Sequence, residues 1–261
     1  VCQGLTAGWV AKWLGITSKD AIGAVIVGCN PLSLLIARLF QERGEPVVMI
    51  DTDPQRYEQA QAQNLRVISS SALDAGVLEE AGLASMGTFL AMTSNGEVNF
   101  VLAERAAEEF NPPRVLAVFP RDPQATTSTN ENKVNQALIP DLPIKIWNEY
   151  VNDGQVKLGT TTLNESSFDL QQEHLKALIR AGELIPLLVE REEHLQVMPA
   201  AQEWEVGDRI IYLLHDPRPH LLKRLSGGSQ STRLALEKLP KVEEIPLAKF
   251  PQLSTSDTRT P

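Results

Sequence analysis

Residues 23–33 read Gly23-Ala-Val-Ile-Val-Gly28-Cys-Asn-Pro-Leu-Ser33, a short apolar run followed by a turn. The run 24–27 is wholly apolar, as in a strand that is buried on both faces of a parallel sheet. After the turn, apolar residues recur with the spacing of an amphipathic helix, at Leu32, Leu35, Ile36, Leu39 and Phe40. Gly44 then ends the pattern, so this stretch predicts a strand, a turn and a helix in that order.

Strands and helices continue to alternate outward from this unit to about residue 150. Further predicted strands cover residues 46–51, 66–69, 88–93, 114–119 and 144–147. Predicted helices cover residues 53–63, 72–81, 97–110 and, more weakly patterned, 125–138. Regular alternation with short connections indicates an α/β fold with a Rossmann-like, doubly wound parallel sheet. Such a sheet has its ligand crevice at the carboxyl ends of the strands, where the strand order reverses.

The pattern changes after about residue 151 and predicts a small α+β domain. Residues 152–164 are polar and rich in Gly and Thr, and we expect a linker there. The next predicted elements are a helix over 171–181 and strands over 184–190, 194–198 and 209–214. A basic stretch with several prolines closes the chain and predicts a loosely ordered tail. The expected segments are therefore 1–22, 23–150, 151–216 and 217–261.

The composition disfavours several classes of protein. The 261 residues carry a formal net charge of −9 and are 43% hydrophobic, which disfavours both extensive disorder and nucleic-acid binding. The two cysteines, Cys2 and Cys29, cannot form a disulfide framework. None of the four histidines has metal-ligand spacing, and no Ser or Cys lies in a nucleophile elbow. We therefore expect no catalytic residues and no metal site, and a sensor in place of an enzyme.

The turn at residues 28–33 departs from the three-glycine pattern of a dinucleotide-binding loop. Gly28 stands at the first glycine position, but Asn30 and Ser33 replace the second and the third. Pro31 also removes a backbone N–H from the turn that would present donors to phosphate. Two interpretations stay open, a working nucleotide site and a Rossmann-like fold whose site has decayed.

Other predicted turns place polar side chains along the same crevice. Asp51 closes the second strand. In dinucleotide-binding folds a carboxylate that binds the ribose follows the first glycine of the loop by about 20 residues, and Asp51 lies close to that distance after Gly28. A negative charge there would disfavour a ligand with a 2′-phosphate. Alternatively, Asp51 or Asp53 begins the next helix, with Pro54 in its first turn. Hydroxyls, an amide and a guanidinium follow the fourth and fifth strands, at Thr93, Ser94, Asn95 and Arg121. They suit phosphate or ribose, although solvated loops explain them equally well.

Four motifs in the first part of the chain form a recognisable series. They are Val-Ile-Val-Gly28, Val-Met-Ile-Asp51-Thr-Asp-Pro54, Ala72-Leu-Asp-Ala-Gly-Val-Leu78-Glu-Glu-Ala-Gly82 and Met92-Thr-Ser-Asn-Gly-Glu-Val-Asn99. With them, the first predicted domain resembles the nucleotide-sensing TrkA-N domain of the regulator of potassium conductance family. Two later stretches are similar to the TrkA-C unit that follows it in the family, Leu184-Ile-Pro-Leu-Leu-Val and Val206-Gly-Asp208-Arg-Ile-Ile-Tyr212.

This resemblance implies a set of ligand positions. They fall on Gly28, Asn30, Ser33, Asp51, Ser70, Ser71, Thr93, Ser94, Asn95 and Arg121. Where the family usually has Gly-Asp after the third strand, this chain has Ser70-Ser71, which removes a carboxylate that would meet the base. Together with the changed turn, this favours a smaller adenine nucleotide (AMP, ADP or ATP), or an empty pocket, over NAD.

The first 15 residues are apolar and contain Trp9 and Trp13. They suit either the interfacial end of a membrane helix or an amphipathic helix packed on the core. Gln3-Gly-Leu-Thr6 and Trp13-Leu-Gly15 resemble the end of the last membrane helix of monovalent cation:proton antiporters. Since the chain begins with Val1, we expect segment 1–22 to be the end of such a helix and a linker.

The two resemblances together imply the regulatory region of a sodium- or potassium/proton antiporter, at the cytoplasmic face of the membrane. The implied partners are the transmembrane domain of the same polypeptide, a second copy in a homodimer and a nucleotide, with no nucleic acid. Two alternatives stay open. A soluble NAD-dependent oxidoreductase would need an intact phosphate loop and a catalytic residue in the second domain. A purely structural dimerisation module with an empty pocket would need neither.

Overall fold

Six parallel strands form the first sheet, and their order places the crevice. The computed structural model describes residues 21–119 and 134–215 and the backbone of residues 243–245. The strands are β1 (Ala24–Val27), β2 (Val47–Asp51), β3 (Arg66–Ser69), β4 (Thr88–Ala91), β5 (Arg114–Ala117) and β6 (Asn135–Gln136). They pair in parallel in the order β3-β2-β1-β4-β5-β6. The order reverses between β1 and β4, so the predicted Rossmann-like, doubly wound sheet is confirmed.

Helices connect these strands and bury the apolar strand residues. They are α1 (Pro31–Glu42), α2 (Pro54–Ala62), α3 (Ala75–Glu80) and α4 (Gly96–Glu109). One face of the sheet forms a hydrophobic cluster in which Val25, Ile50 and Phe89 of the strands join Leu78 of α3 and Leu102 of α4. All residues of β1 and β4 are buried, which explains why their sequences lack the polar alternation of a half-exposed strand.

The second sheet is built from strands that follow residue 150, with two helices. The elements are α5 (Ile144–Asn152), β7 (Val156–Thr162), α6 (Phe168–Arg180), β8 (Leu184–Arg191), β9 (His194–Val197), β10 (Arg209–His215) and β11 (Glu243–Ile245). The strand order is β11-β7-β10-β8-β9. The pairs β11–β7, β7–β10 and β10–β8 are antiparallel, which confirms the predicted α+β character of this part.

The chain divides into two compact units. Residues up to Leu142 and residues Glu192–Gln202 form the first unit. Pro143–Arg191 and the residues from Glu203 onward form the second. The chain therefore enters the second unit, returns to the first for residues 192–202, and then leaves it again.

The prediction of a strand over residues 144–147 was wrong, because this segment begins helix α5. Apolar residues in a window of only four residues fit the spacing of a strand as well as that of a helix. The longer stretch contains Ile144, Trp147 and Val151, whose spacing is that of one helix face, and Trp147 is buried. Pro143 stands directly before the first helical residue, a position compatible with a helix start.

The predicted linker over residues 152–164 was also wrong, because most of it forms strand β7. The strand pairs with β10 along its whole length, from Val156 opposite His215 to Thr162 opposite Arg209. Threonine suits strands, and pairing with β10 on one side and β11 on the other overrides the turn-like composition of β7. Gly159 is required there, since a Cβ atom would lie 2.7 Å from the Tyr212 ring.

Two further predictions are only partly covered by the described residues. The predicted helix over 125–138 falls mostly outside them, but its last part contains β6, so a helix there was wrong. The predicted helix over 72–81 begins later, at Ala75, because Asp74 caps it. Within the predicted loose tail, residues 243–245 form β11. The remainder of segment 217–261 and the predictions on residues 1–20 lie outside the described residues.

Among the helices that the structure describes, none combines the length and the apolar character needed to cross a membrane.

Candidate functional site

The predicted crevice lies where β1 and β4 end side by side. Gly28 follows β1 and has a φ of +100°, in the region that favours glycine. A Cβ atom at this position would lie 2.9 Å from the backbone oxygen of Met92, which follows β4. Gly28 is therefore required both by its own backbone conformation and by the close approach of the two strand ends.

Asn30 and Ser33 form a reciprocal cap at the start of α1. The Asn30 Oδ1 accepts a hydrogen bond of 3.1 Å from the Ser33 N–H, and the Asn30 N–H donates to the Ser33 Oγ at 2.8 Å. The Ser33 hydroxyl donates to the Gly28 carbonyl at 2.6 Å, and the Asn30 Nδ2 donates to the Met92 carbonyl at 2.6 Å. Both side chains are buried, so they fix the loop instead of pointing into open solvent.

The loop that would hold a pyrophosphate is closed by the protein itself. The N–H groups of Asn30 and Ser33 bond within the cap, and Pro31 has no N–H. The Cys29 N–H donates to the Asp51 Oδ2 at 2.6 Å. In a phosphate-binding loop, backbone N–H groups of this kind point at the ligand. Here all three already have acceptors in the chain, and a phosphate would have to displace them.

Asp51 lies at the predicted place, after β2, and is only 8% exposed. Besides the Cys29 N–H, its carboxylate accepts a hydrogen bond of 2.9 Å from the Asp53 N–H. An Arg56 guanidinium nitrogen lies 3.7 Å from the Asp51 Oδ2, and the Arg56 Nε lies 3.4 Å from the Asp53 Oδ2. No sequence pattern indicates Arg56 as a partner of Asp51, because the position of Arg56 depends on how α2 leaves the sheet.

The Cys29 thiol is held protonated by this environment. Burial raises its pKa to about 12, the negative charge of Asp51 acts in the same direction, and Arg56 acts against it. A thiol with so high a pKa is neither a nucleophile nor a metal ligand near neutral pH. No group of three or more His, Cys, Asp or Glu side chains that could hold a metal ion exists in the described part of the chain.

Ser70 and Ser71 follow β3 and are half-buried. The Ser70 N–H donates to the Asp51 carbonyl at 3.1 Å, and the Ser71 Oγ accepts a hydrogen bond of 3.3 Å from the Leu73 N–H. Both residues therefore lie at the crevice edge of the sheet, beside β2, as the sequence predicted.

Thr93 is organised by Asn99, a fully buried residue of α4. The Asn99 Oδ1 accepts hydrogen bonds from the Thr93 N–H at 2.8 Å and from the Thr93 hydroxyl at 2.6 Å. Its Nδ2 donates to the carbonyl oxygens of Thr93 and Val118, at 3.1 and 2.7 Å. Asn99 thus joins the ends of β4 and β5. The sequence contained it in a motif, but the residue was not identified as part of the site.

The remaining predicted site residues are Ser94, Asn95 and Arg121. Ser94 and Asn95 are exposed. The Asn95 Oδ1 caps α4 by accepting hydrogen bonds from the Glu97 and Val98 N–H groups. Arg121 lies outside the described residues. The structure therefore brings together the residues that follow β1, β2, β3 and β4, and ligand contact by each of them stays a prediction.

Comparison with known proteins bears on this same region. Residues 24–140 match the TrkA-N domain family. The match supports the resemblance to the regulator of potassium conductance family that the motifs indicated.

Individual relatives cover only parts of the chain. The Trk system potassium uptake protein TrkA of Streptomyces coelicolor is 30% identical over 94 residues, 36% of this chain and 42% of that protein. The chain thus spans about two fifths of the length of this curated relative. The TrkA-N domain of the inner membrane protein ybaL from Escherichia coli is 18% identical, with a TM-score of 0.35 over 39% of this chain and 76% of that one. The GsuK channel bound to NAD is 16% identical, with a TM-score of 0.37 over 87% of this chain and 44% of that one.

Proposed function

We propose that the chain is the nucleotide-sensing regulatory region of a sodium- or potassium/proton antiporter, acting at the cytoplasmic face of the membrane. The observation that carries the proposal is the TrkA-N match over residues 24–140, which contains the β1/β4 reversal and the polar residues at its crevice. In doubly wound sheets this is the place where ligands bind. The potassium uptake protein TrkA, which is similar over 94 residues, supports a role in monovalent cation transport.

The antiporter setting rests on the short resemblance of residues 3–6 and 13–15 to the end of the last antiporter helix. In this proposal the transmembrane domain of the same polypeptide is the partner that the region controls. A TrkA-C-like unit at residues 151–216 follows the sensing domain at residues 23–150, and two copies form a homodimer. Regulation then requires that the nucleotide bind two conformations with different affinities.

The closed loop supports a mononucleotide over NAD as the ligand. In a dinucleotide the pyrophosphate lies between two nucleosides, so it has to cross the loop when both ends are bound. In AMP, ADP or ATP the phosphates are terminal and can extend into solvent while the nucleoside occupies the crevice. The hydrogen bond between the Cys29 N–H and Asp51, at 2.6 Å, would oppose the first arrangement more than the second.

A sensor fits the described crevice better than an oxidoreductase does. Asp51 is the buried carboxylate at the site, and two backbone N–H groups and Arg56 already engage it. A general base has to lie within hydrogen-bond reach of the proton that it abstracts, with a lone pair available to accept it. The Cys29 thiol stays protonated near neutral pH, since its pKa is raised to about 12.

The closed loop also favours a second candidate function, a structural dimerisation module with an empty pocket. Binding of AMP, ADP, ATP, NAD and NADH to residues 1–261 separates the candidates, because a ligand of the native state raises the melting temperature by mass action. The proposal expects a concentration-dependent increase with an adenine mononucleotide and a smaller one with NAD. If none of these compounds raises the melting temperature, the structural dimerisation module remains as the candidate function. Hydride transfer with NADH would support the oxidoreductase.

The transport role needs a separate measurement on the full polypeptide. Cation/proton exchange in everted membrane vesicles should change when the effective mononucleotide is added, and the change should vanish when the sensing domain is deleted. Exchange that is indifferent to the nucleotide in both proteins would contradict a regulatory role.

A further inference from the structure

Arg56 brings a positive charge to the loop that follows β1. One of its guanidinium nitrogens lies 3.7 Å from the Asp51 Oδ2, the same oxygen atom that accepts the 2.6 Å hydrogen bond from the Cys29 N–H. Because the two donors share one oxygen atom, the guanidinium lies beside the first N–H group of the loop. The Arg56 side chain is 40% exposed, so it is open to a ligand in the crevice. A guanidinium is well suited to phosphate, since its planar set of donors matches the phosphate oxygens.

Asp53 competes with any phosphate for this guanidinium. The Arg56 Nε lies 3.4 Å from the Asp53 Oδ2. The other carboxylate oxygen of Asp53, Oδ1, accepts a 2.9 Å hydrogen bond from the Gln55 N–H and thereby caps α2. One carboxylate thus occupies both a cation and a helix N-terminus, and in other proteins both kinds of group bind phosphate.

The charges around Arg56 disfavour a further anion. The carboxylates of Asp51 and Asp53 face this one guanidinium, so two negative charges stand against one positive charge. The N–H groups of Cys29, Asn30 and Ser33 already have acceptors in the chain. Each additional phosphate on a ligand therefore brings negative charge to a net negative group of side chains, and it meets loop N–H groups that are engaged.

We propose that Asp53 makes the crevice favour adenine nucleotides with few phosphates, because it keeps Arg56 from binding the phosphate chain. The expected order of affinity is AMP before ADP and ADP before ATP. The proposal rests on the nucleotide site proposed above and names the ligands that this site selects. Asp53 is then a specificity-determining residue, and the site responds to the hydrolysis products of ATP more strongly than to ATP.

Isothermal titration of residues 1–261 with adenosine, AMP, ADP and ATP tests this selectivity. EDTA keeps the phosphates free of magnesium, so that each compound carries its full charge. At low ionic strength the Kd should rise about threefold with each phosphate added to AMP, as expected for repulsion between partly solvated charges. The difference should shrink in about 0.5 M NaCl, because salt screens exposed charges.

Asp53→Asn separates the charge of Asp53 from its cap. Asparagine keeps an oxygen that caps α2 but carries no charge to hold Arg56. ATP affinity should rise about tenfold, because the released guanidinium can donate to the phosphates. Adenosine affinity should stay unchanged, since adenosine has no phosphate. In the double variant Asp53→Asn, Arg56→Gln the gain for ATP should disappear.

Asp74→Asn is the matched control. Asp74 caps α3 by accepting a 2.9 Å hydrogen bond from the Gly76 N–H, so the change removes the same charge at a neighbouring helix start and keeps the cap. It should leave ATP affinity within about twofold of the original value. Equal gains in Asp53→Asn and Asp74→Asn would overturn the role of Arg56, and so would a gain that survives in the double variant.

The titrations of the unchanged chain separate this proposal from the sensing function. Equal affinities for AMP, ADP and ATP, or tightest binding of ATP, would overturn the selectivity and leave nucleotide sensing intact. Failure of all four compounds to bind would contradict the sensing function and the selectivity with it. If Asp53→Asn fails to fold, judged by circular dichroism, Asp53→Ser also caps a helix without a charge and is expected to give the same gain for ATP.

Discussion

The Cys29 N–H donates a 2.6 Å hydrogen bond to the Asp51 carboxylate, so the first loop of the sheet is tied to the end of the second strand. In a working dinucleotide site, N–H groups of this loop meet the pyrophosphate, and the carboxylate meets a ribose. Here the two groups meet each other. The reciprocal cap of Asn30 and Ser33 engages the N–H groups of these two residues in the same way.

Restoring the glycines should open the loop. The double variant Asn30→Gly, Ser33→Gly frees two N–H groups, so we expect NAD affinity measured by isothermal titration calorimetry to rise by about tenfold, or 1.4 kcal/mol. Loss of the buried bonds from Asn30 to the Met92 carbonyl and from Ser33 to the Gly28 carbonyl should lower the free energy of unfolding by about 1–3 kcal/mol. Asp74→Gly, which removes an exposed cap of α3 that accepts from the Gly76 N–H, serves as the control. It should lower stability without changing NAD affinity, and an equal change in affinity would argue against the closed loop.

The Cys29 thiol should resist chemical modification in the folded protein. With a pKa of about 12, the thiolate fraction at pH 8 is about one in ten thousand even before burial limits access. A Cys2→Ser background isolates this thiol. In it, a disulfide reagent such as DTNB should react only after unfolding in guanidinium. Rapid stoichiometric reaction under native conditions would contradict the described environment.

The same pKa shift predicts a pH dependence of stability. The folded pKa lies above the ordinary value of 9.0, so the folded state holds the proton more tightly and the stabilisation is fully present below pH 9. Stability should fall as pH rises from 9 toward 12, by up to about 1.4 kcal/mol per pH unit from this group. Urea unfolding at pH 8 and pH 10 measures the slope. Cys29→Ala should reduce the slope, and an identical slope would assign it to other groups.

Asn99→Ala should destabilise the fold more than a comparable surface change. The variant leaves the Thr93 N–H and the Val118 carbonyl without their partner, and we expect a loss of about 2–4 kcal/mol. Asn95→Ala removes an exposed helix cap close by and should cost about 1 kcal/mol. Urea unfolding of both variants gives the comparison, and equal losses would mean that Asn99 does not join the strand ends.

Gly28→Ala and Gly44→Ala should separate crowding from backbone strain. Both glycines have positive φ, but a Cβ at Gly44 meets no atom within 4 Å, whereas one at Gly28 meets the Met92 carbonyl at 2.9 Å. We expect a loss of about 1 kcal/mol for Gly44→Ala and clearly more for Gly28→Ala, because the strand ends have to move apart. Thermal unfolding checks this order, and a reversed order would contradict the close approach.

Much of the first unit could be predicted from the sequence, because buried parallel strands leave short apolar runs that turn residues separate. The run 24–27 and its counterpart before Asp51 needed no tertiary information. The predictions that were wrong concern segments whose structure depends on the elements that pack or pair with them. The stretch 144–147 is too short for its apolar spacing to distinguish a helix from a strand. The segment β7 is a strand because β10 pairs with it.

The candidate site was predictable in position but not in its hydrogen bonds. Gly28, Asp51 and Thr93 lie at the crevice because each follows a parallel strand, which a pattern can indicate. The closure of the loop depends on the exact register of β1 against β2 and β4, which no local pattern reports. The same holds for Asn99, whose partners are close in space and come from separate elements.

An isothermal titration of residues 1–261 with AMP, ADP, ATP and NAD under identical conditions tests the sensing role and the closed loop together. We predict that at least one of the adenine mononucleotides binds with a Kd at least about tenfold lower than that of NAD, a difference of about 1.4 kcal/mol. Tighter binding of NAD would contradict the closed loop as a barrier to pyrophosphate. If none of these nucleotides binds, the sensing role itself is contradicted.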